Sequence, residues 1–449
     1  MFRKVLIANR GEIALRIIRS CRELGISTVA VFSEADRNAL HVRFADEAVC
    51  IGPAPAVSSY LHQPSVLAAA EITEADAVHP GYGFLAENAE FASAVRAMGK
   101  AFVGPSVDHL RMFGDKLQAK DAARLAGMPL LEGSPGAVDT VDAALKAAEV
   151  AGYPVMVKAA GGGGGKGMRV VRDKATLERA FDLCRTEAQA AFGVSEVFVE
   201  RFLDAPRHVE VQVVGDGQGN ALHLGTRDCS MQRRHQKLLE EAPAPNLPPE
   251  LRASLESAAA KLIATVGYCG LATVELLVQD GAFYFLEVNP RIQVEHPVTE
   301  EVTGVDLVAL QLRVCAGQGF GMSQADVRFH GHAIEVRVNA EDPFTFVPCP
   351  GRISGYHAPG GPGVRVDSAA HEDALVPPYY DSMVAKLIVW APTRQAALAR
   401  LRGALDEMVV EGISTTIPLH EALLRTPELI EVRHTTGFVD AWLAAKRAE

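Results

Sequence analysis

Positive charge is the first thing this sequence is short of. Its 449 residues carry 44 Lys and Arg against 55 Asp and Glu, a formal net charge of −11. A surface of that sign repels nucleic-acid phosphates and anionic lipid headgroups, so neither nucleic acid nor membrane is expected as a partner. An anionic substrate must be captured by a local basic site. Cysteine is sparse and scattered: Cys21, Cys50, Cys184, Cys229, Cys269, Cys315 and Cys349 are odd in number and form no C-x-x-C pair. That argues against a disulfide framework and a zinc site, and a reduced, cytoplasmic setting is expected. No apolar run is long enough to span a bilayer. The opening MFRKVLIANRGEIALRIIRS includes Glu12 and lacks the apolar core of a signal peptide. What remains is 48% apolar and 22% charged, the composition of two to four packed units rather than a disordered chain.

The first hundred residues alternate short apolar runs with helical patterns. Lys4 to Ala8, Thr28 to Phe32, Ala48 to Ile51, Ala77 to His79 and Ala101 to Gly104 read as strands. Between them lies a helix with Ile13, Ile17, Cys21 and Leu24 at helical spacing, stopped by Gly25, and further helices near 64–73 and 88–98. This alternation predicts an open parallel sheet of Rossmann-like type. The dinucleotide fingerprint is missing, however: Asn9-Arg10-Gly11-Glu12 follows the first strand with a single glycine. A dehydrogenase is disfavoured.

From about residue 114 the texture changes. A helix around 115–126 leads into Glu132-Gly133-Ser134-Pro135-Gly136, which reads as a hinge or linker, and a helix near 139–151 follows. Val155 to Lys158 then runs into Gly161-Gly162-Gly163-Gly164-Gly165-Lys166-Gly167, with Met168 to Val171 after it. Apolar β-formers on both sides weigh against a flexible linker, and the absence of G-K-[ST] before a helix excludes a Walker A loop. The reading that remains is a hairpin flap whose bare backbone N–H groups close around phosphate oxygens, with Lys158 adding charge.

Thr273 to Val278 and Phe283 to Val288 flank Asp280-Gly281, a strong hairpin signal. A two-residue turn places Glu275 opposite Leu286. A three-residue loop, or an equivalent bulge, places Glu275 opposite Glu287 on one face. The second register is expected, because Glu275, Glu287 and Asn289 then offer hard oxygen ligands for Mg²⁺ carried with nucleotide phosphates. The next segment, Pro290 to Pro297, is expected to be extended, with Arg291, Gln293 and Glu295 projecting to one side. A cation, an amide and a carboxylate there can hold a small oxyanion and remove its proton. Upstream, Arg227, Arg233, Arg234, Lys237 and His235 crowd into eleven residues and read as a local anion-capturing field.

Taken together, these motifs resemble the biotin carboxylases, ATP-grasp enzymes. The resemblance runs from residue 1 to about 445 through IANRGEIA, HPGYGFLAEN, GGGGGKGM, RHVEVQV, RDCSMQRRHQK and EVNPRIQVEHPVTE. It implies an α/β (α+β) chain with a Rossmann-like domain at 1–113, an ATP-grasp domain at 114–330 with its lid at about 131–202, and a mixed α/β C-terminal domain at 331–446. It implies a reaction in which ATP phosphorylates bicarbonate to carboxyphosphate, CO₂ is released, and the ureido nitrogen of biotin attacks it.

Carried over by motif, Lys116, Lys158, Gly163, Gly164, Gly165, Glu200, Arg201, Leu203, His208, Gln232 and His235 would contact ATP. Glu275, Glu287 and Asn289 would hold Mg²⁺ or Mn²⁺, with Glu275 and Glu287 reaching the nucleotide through it. Lys237, Arg291, Gln293 and the Val294 backbone would bind bicarbonate, Glu295 would be the general base, and Arg337 would stabilise charge on the biotin ureido oxygen. Tyr82 is a further biotin contact, and Asp381 would orient Arg337. Position 201 is Arg where the family often has lysine, and Lys166 stands where some members have arginine.

No Met-Lys-Met biotin-acceptor motif occurs in the chain. Biotin is therefore expected on a separate carrier protein, with carboxyltransferase subunits as further partners and a homodimer whose contact includes Arg19 and Glu23. The default role is the first half-reaction of acetyl-CoA carboxylase, in fatty acid biosynthesis. The alternatives are the same half-reaction in a propionyl-CoA, pyruvate or urea carboxylase, another bicarbonate-using ATP-grasp ligase, or a silent nucleotide-binding regulator.

Overall fold

The structure, a computed structural model, describes residues 1–159, 167–193 and 195–448. The glycine run's Gly163, Gly164 and Gly165 lie outside the described residues, as does Lys166. No helix among the described residues is long and apolar enough to cross a membrane.

The N-terminal strands β1 (Lys4–Ile7), β2 (Ser27–Ser33), β3 (Glu47–Gly52), β4 (Ala77–His79) and β5 (Ala101–Phe102) form a parallel sheet in the order β3-β2-β1-β4-β5. Val5, Leu6 and Ile7 are buried on both faces because helices cover both sides, as a parallel sheet requires. The helix Gly11–Glu23 starts directly after β1, with Gly11 turning the chain at φ +66. It ends where the sequence indicates: Gly25 adopts φ +70, and Ile26 N–H donates to the Cys21 carbonyl at 2.8 Å.

Strands β6 (Val155–Ala159), β7 (Met168–Val171) and β8 (Val197–Arg201) form a small antiparallel sheet in the order β7-β6-β8. The helices Val141–Ala151 and Lys174–Phe192 pack on it through Ala144, Ala148, Leu177 and Phe181. The Gly/Pro-rich stretch at 132–136 is not a free linker. Gly133 bridges to Glu200, and Ser134 N–H donates to the Val199 carbonyl at 2.7 Å. A Cβ on Gly133 would stand 2.2 Å from that carbonyl oxygen, so only glycine lets the chain lie this close to β8.

The remaining long strands are β9 (Arg207–Asp216), β10 (Ala221–Arg233), β11 (Gln236–Ala242), β12 (Cys269–Gln279), β13 (Ala282–Asn289) and β14 (His332–Asn339). Among the described residues they join β17 (Val364–Ser368) and β19 (Met383–Ala391) in a sheet ordered β13-β12-β9-β10-β11-β14-β19-β17. Short pairs complete the strands: β15 (Gly351–Arg352) with β18 (Leu375–Val376), and β16 (Gly355–His357) with β20 (Val409–Glu411). The large sheet runs unbroken across residue 330, because β11 pairs with β14 through Leu239↔Val336 and Glu240↔Glu335. That pairing brings Arg337 to the polar residues of β11. One apolar core lies against β9, β12 and β13, and another against β11, β14 and β19.

Candidate active site

The β12–β13 hairpin brings two carboxylates together. Gln279 pairs with Ala282, so the turn has two residues, Asp280 at φ +53 and Gly281 at φ +75. Leu276 pairs with Phe285, and Glu275 then pairs with Glu287. Leu286 is therefore a β-bulge residue, and it restores the register that a two-residue turn alone would lose. Glu275 is buried, while Glu287 opens to solvent within the cleft. Partial desolvation by the residues around it and the charge of neighbouring Glu275 push the Glu287 carboxyl above its ordinary range.

That like-charge crowding is what a divalent cation relieves, and the donors are hard oxygens, so the pair fits Mg²⁺. Asn289 adjoins it, donating from Nδ2 to Glu275 Oε1 at 2.9 Å while its Oδ1 accepts from Arg291 at 2.8 Å. Two other groupings bring ligand atoms together, His208/Glu210/Glu275 and Glu210/Cys229/Glu295. Their shared Glu210 has each oxygen bonded to a buried cation, Arg227 or Lys237, whereas Glu287 has no ion-pair partner among the described residues, which makes Glu275 with Glu287 the better cation site.

Lys237 organises the centre. Its ammonium lies 2.6 Å from Glu210, 2.9 Å from Glu275 and 2.7 Å from Glu295. Burial disfavours its charge, but the surrounding acids outweigh this and hold its pKa well above the ordinary lysine value. Glu295 in turn offers its second oxygen to Arg337 at 3.0 Å. Burial would raise the Glu295 pKa; Lys237, Arg337 and Arg227 overcome it and keep the carboxylate ionised. Arg337 also donates from Nε to Glu240 Oε1 at 2.7 Å, and its Nη2 lies 2.6 Å from the same oxygen.

The strip from 290 to 297 departs from the extended expectation. Glu295 has φ −81 and ψ 11 and caps the helix His296–Thr303, with Pro297 tolerated in its first turn. The turn still aims Gln293 and Glu295 at one centre: Gln293 Nε2 donates to Glu275 at 2.9 Å. Arg291 points elsewhere, to Glu87 and to Asn289. The Val294 carbonyl accepts from Lys386 at 2.9 Å.

The cationic cluster at 227–237 splits, correcting the expectation of one anion-capturing field. Arg227 is fully buried and its guanidinium is spent on Glu210, Gln212, Thr299, Thr273 and Gln293. Arg233 lies over the Phe346 ring at 3.9 Å, and Arg234 and His235 form the exposed β10–β11 turn. Arg227 and Lys237 both reach the acidic centre, sharing the two oxygens of Glu210, while Arg233 and Arg234 do not.

At the end of β8, Glu200 is clasped by Lys158 and by Lys120, the latter at 2.5 Å. Burial works against its ionisation, yet the two lysines hold it at about 2. Lys116 lies close by, its pKa lowered by burial and by Lys158. His208 Nε2 stands 2.9 Å from Glu275, and Gln232 Nε2 is 3.5 Å from His208 Nδ1. Leu203 is buried and Arg201 exposed.

Across the site, Tyr82 lies beside Lys386, whose ammonium is 6.0 Å from the ring centroid. Asp381 does not orient Arg337. It is exposed and accepts from Met383 N–H at 2.9 Å, while Glu240 and Glu295 hold the guanidinium. Arg19 and Glu23 are exposed on the first helix, Arg19 reaching Asp367 at 3.9 Å.

Family models match along the chain: biotin carboxylase, N-terminal domain, at residues 1–110; carbamoyl-phosphate synthase L chain, ATP binding domain, at 115–322; and biotin carboxylase C-terminal domain at 335–441. The biotin carboxylase of Pseudomonas aeruginosa is 56% identical over 95% of this chain and 95% of its own length. The chain belongs to the biotin carboxylase family.

Within that family, a pyruvate carboxylase subunit from Methanothermobacter thermautotrophicus is 49% identical over 100% of this chain and 92% of its own. The crystal structure of a biotin carboxylase–β,γ-ATP complex from Campylobacter jejuni superposes with a TM-score of 0.95 at 46% identity, covering 98% and 99% of the two chains. The biotin carboxylase domain dimer of Hydrogenobacter thermophilus 2-oxoglutarate carboxylase, in complex with MgADP, ADP and bicarbonate, gives a TM-score of 0.93 at 45% identity and 98% coverage of both.

Several members of this biotin carboxylase centre escaped the sequence reading. Glu210 had a signal: His208, Glu210 and Gln212 alternate with Val209, Val211 and Val213, so one face of β9 is polar, yet all six are buried. Lys120 stands one helical turn after Lys116. Glu240 had none, since adjacent acids at 240–241 read as a solvated edge until β14 covers them.

Proposed function

We propose that this chain catalyses ATP-dependent carboxylation of biotin, drawing carbon from bicarbonate through carboxyphosphate. The observation that carries the reading is the placement of Glu295 between two cations with different tasks: Lys237 touches one carboxylate oxygen and Arg337 the other. One side serves an oxyanion and the other a developing ureido enolate.

Lys237, Gln293, the Val294 backbone and Arg291, which must turn from Glu87 to reach it, are assigned to bicarbonate, with Lys237 and Arg291 neutralising its charge. Glu295, ionised and buried, takes the bicarbonate proton as an oxygen of bicarbonate attacks the γ-phosphorus and ADP leaves. Bicarbonate that draws Lys237 toward itself also weakens the grip of that lysine on Glu295, which raises its basicity at the step that needs it. Carboxyphosphate then breaks into CO₂ and phosphate. Phosphate accepts the ureido N–H proton, the nitrogen bonds to CO₂, and Arg337 stabilises negative charge on the ureido oxygen. Mg²⁺ or Mn²⁺ held by Glu275, Glu287 and Asn289 supplies charge neutralisation for the nucleotide phosphates. Lys116, Lys158 and the glycines at 163–165 are assigned to the phosphates; Glu200, Arg201, Leu203, His208, Gln232 and His235 complete the nucleotide contacts.

The assignment divides the chain into a Rossmann-like domain at 1–113, an ATP-grasp domain at 114–330 and a C-terminal domain at 331–446. Biotin arrives on a separate carrier protein, with Tyr82 beside its path, and the carboxyl group passes to carboxyltransferase subunits. A homodimer and an acetyl-CoA acceptor complete the reading. Relatives named for pyruvate and 2-oxoglutarate carboxylases keep the acceptor a separate question. The deciding experiment is ADP release from Mg-ATP with and without bicarbonate and free biotin. Bicarbonate-dependent turnover stimulated by biotin, with carboxybiotin formed, is expected. Turnover indifferent to biotin would instead point to another ATP-grasp ligase.

A further inference from the structure

Glu335 on β14 is fully buried, and neither carboxylate oxygen has a hydrogen-bond partner among the described residues. The β11–β14 register sets it directly opposite Glu240, so both side chains leave the same face with Cβ atoms about 5 Å apart. Glu240 is fully buried as well. Its Oε1 accepts from Arg337, but its Oε2 has no partner. Carboxylates with orphaned oxygens therefore leave one face of the buried sheet from directly paired residues. Two ionised carboxylates left so would be costly, because each is desolvated and each repels the other.

A single proton resolves the pair, and the surroundings decide which acid carries it. Burial pushes the Glu240 carboxyl up to about 7, opposed by the Arg337 guanidinium bound to it, which favours its ionised form. Glu335 has no such contact. Lys386, on the adjoining β19, is directed to the Val294 carbonyl at 2.9 Å and Glu12 at 3.1 Å, with Asp367 at 3.9 Å. From the helix His296–Thr303, which packs on β14, His296 turns Nδ1 to the Gln293 carbonyl, Glu300 is bound by Arg16 and Arg365, and Glu301 by Arg365. Glu295 adds a further negative charge, and the helix Arg394–Glu407 packs apolar residues on the other face. Burial, opposed by Lys386 and reinforced by Glu240, puts the Glu335 carboxyl well above its ordinary range.

We infer that Glu335 is a positioning residue for the biotin step: as a neutral carboxylic acid it donates a hydrogen bond to Oε2 of Glu240, fixing Glu240 and, through it, the Arg337 guanidinium. The inference rests on the assignment of Arg337 to biotin made above. Arg337 is shared between Glu240 and Glu295. Release of Glu240 would let Arg337 turn toward Glu295, away from the position in which it meets the ureido oxygen.

The test compares the wild type with Glu335→Gln, whose amide is neutral and still donates, and Glu335→Leu, which cannot donate. Both are assayed for biotin carboxylation and for bicarbonate-dependent ATP cleavage across pH. Glu335→Gln is expected to stay within about two-fold of wild type in biotin carboxylation with an unmoved pH profile. Glu335→Leu is expected to lose roughly ten-fold or more in kcat for biotin, with a much smaller loss in ATP cleavage and an unaltered KM for ATP. A glutamine variant as damaged as the leucine one, or one with a displaced pH profile, overturns the inference, as does a leucine variant that keeps its biotin activity. Should the leucine variant not fold, the glutamine arm decides alone. A wild type with no response to biotin sinks the underlying reading instead, independently of either variant.

Discussion

Glu275 stands opposite Glu287 because Leu286 is an extra residue in β13. Without that bulge the two-residue turn at Asp280-Gly281 would pair Glu275 with Leu286, and the two acids would lie on opposite faces of the hairpin. The proposed metal site thus depends on one local irregularity. Glu287 is the cleaner probe of it, since Glu275 also bonds Lys237, Asn289 and Gln293. Glu287→Gln is expected to raise the Mg²⁺ concentration for half-maximal ATP cleavage by roughly ten-fold or more. Activity titrated with Mg²⁺ at fixed ATP checks this, and an unchanged requirement would remove Glu287 from the site.

Replacing Glu295 by alanine should abolish bicarbonate-dependent ATP cleavage while leaving nucleotide binding nearly intact. Calorimetric titration with a non-hydrolysable ATP analogue, run beside the ADP-release assay, separates these effects. Loss of nucleotide affinity would disqualify Glu295 as the base.

Arg337→Ala should divide the two half-steps. Bicarbonate-dependent ATP cleavage is expected to survive in large part, with biotin carboxylation slowed about a hundred-fold or more, the size typical of a lost oxyanion donor. Equal loss of both activities would place Arg337 in the wrong step.

Arg227→Met tests a structural claim. The guanidinium is fully buried with Glu210 as its ionic partner, and methionine removes the charge without refilling its hydrogen bonds. Breaking a buried pair from one side costs about 3–5 kcal/mol. Denaturant unfolding of the two proteins measures it, and a loss below about 1 kcal/mol would fit only a surface-like pair.

Acid stability should depend on Glu241. This buried carboxylate is paired with Arg394 at 2.6 Å and His332 at 2.8 Å; burial opposes its ionisation, yet these partners lower its pKa from 4.5 to about 2. A depressed acid stabilises the fold above its unfolded pKa and loses that contribution as pH falls through the folded value. The contribution, roughly 3 kcal/mol at neutral pH, should therefore fade between about pH 4.5 and 2. Thermal unfolding of wild type and Glu241→Gln should differ at pH 7 and converge in acid. A gap that persists below about pH 2 would show that the pairing is not the cause.

Much of this protein is determined by short-range pattern. The alternation of apolar strands with 3.6-period helices specifies the parallel N-terminal sheet nearly residue by residue, as β4 at Ala77–His79 and the stop at Gly25 illustrate. Gln293 and Glu295 were legible for the same reason, since they stand two residues apart just after Asn289, whereas Lys237 was singled out from its cluster only by the family resemblance. The turn that replaces an extended strip at Glu295 was not legible, because a proline at the second position of a helix and a proline that blocks one look alike in sequence. Nor was the fate of the cationic cluster, where the sheet gathers Arg227 and Lys237 onto Glu210 and leaves Arg234 and His235 in an exposed turn. Arg337 meets Glu240 and Glu295 only because β14 is added to the edge of β11, about a hundred residues away in the chain. Local propensity carries the elements, but desolvation and cross-strand charge, which set the Glu335–Glu240 pair and the state of Glu295, exist only once the large sheet has closed over them.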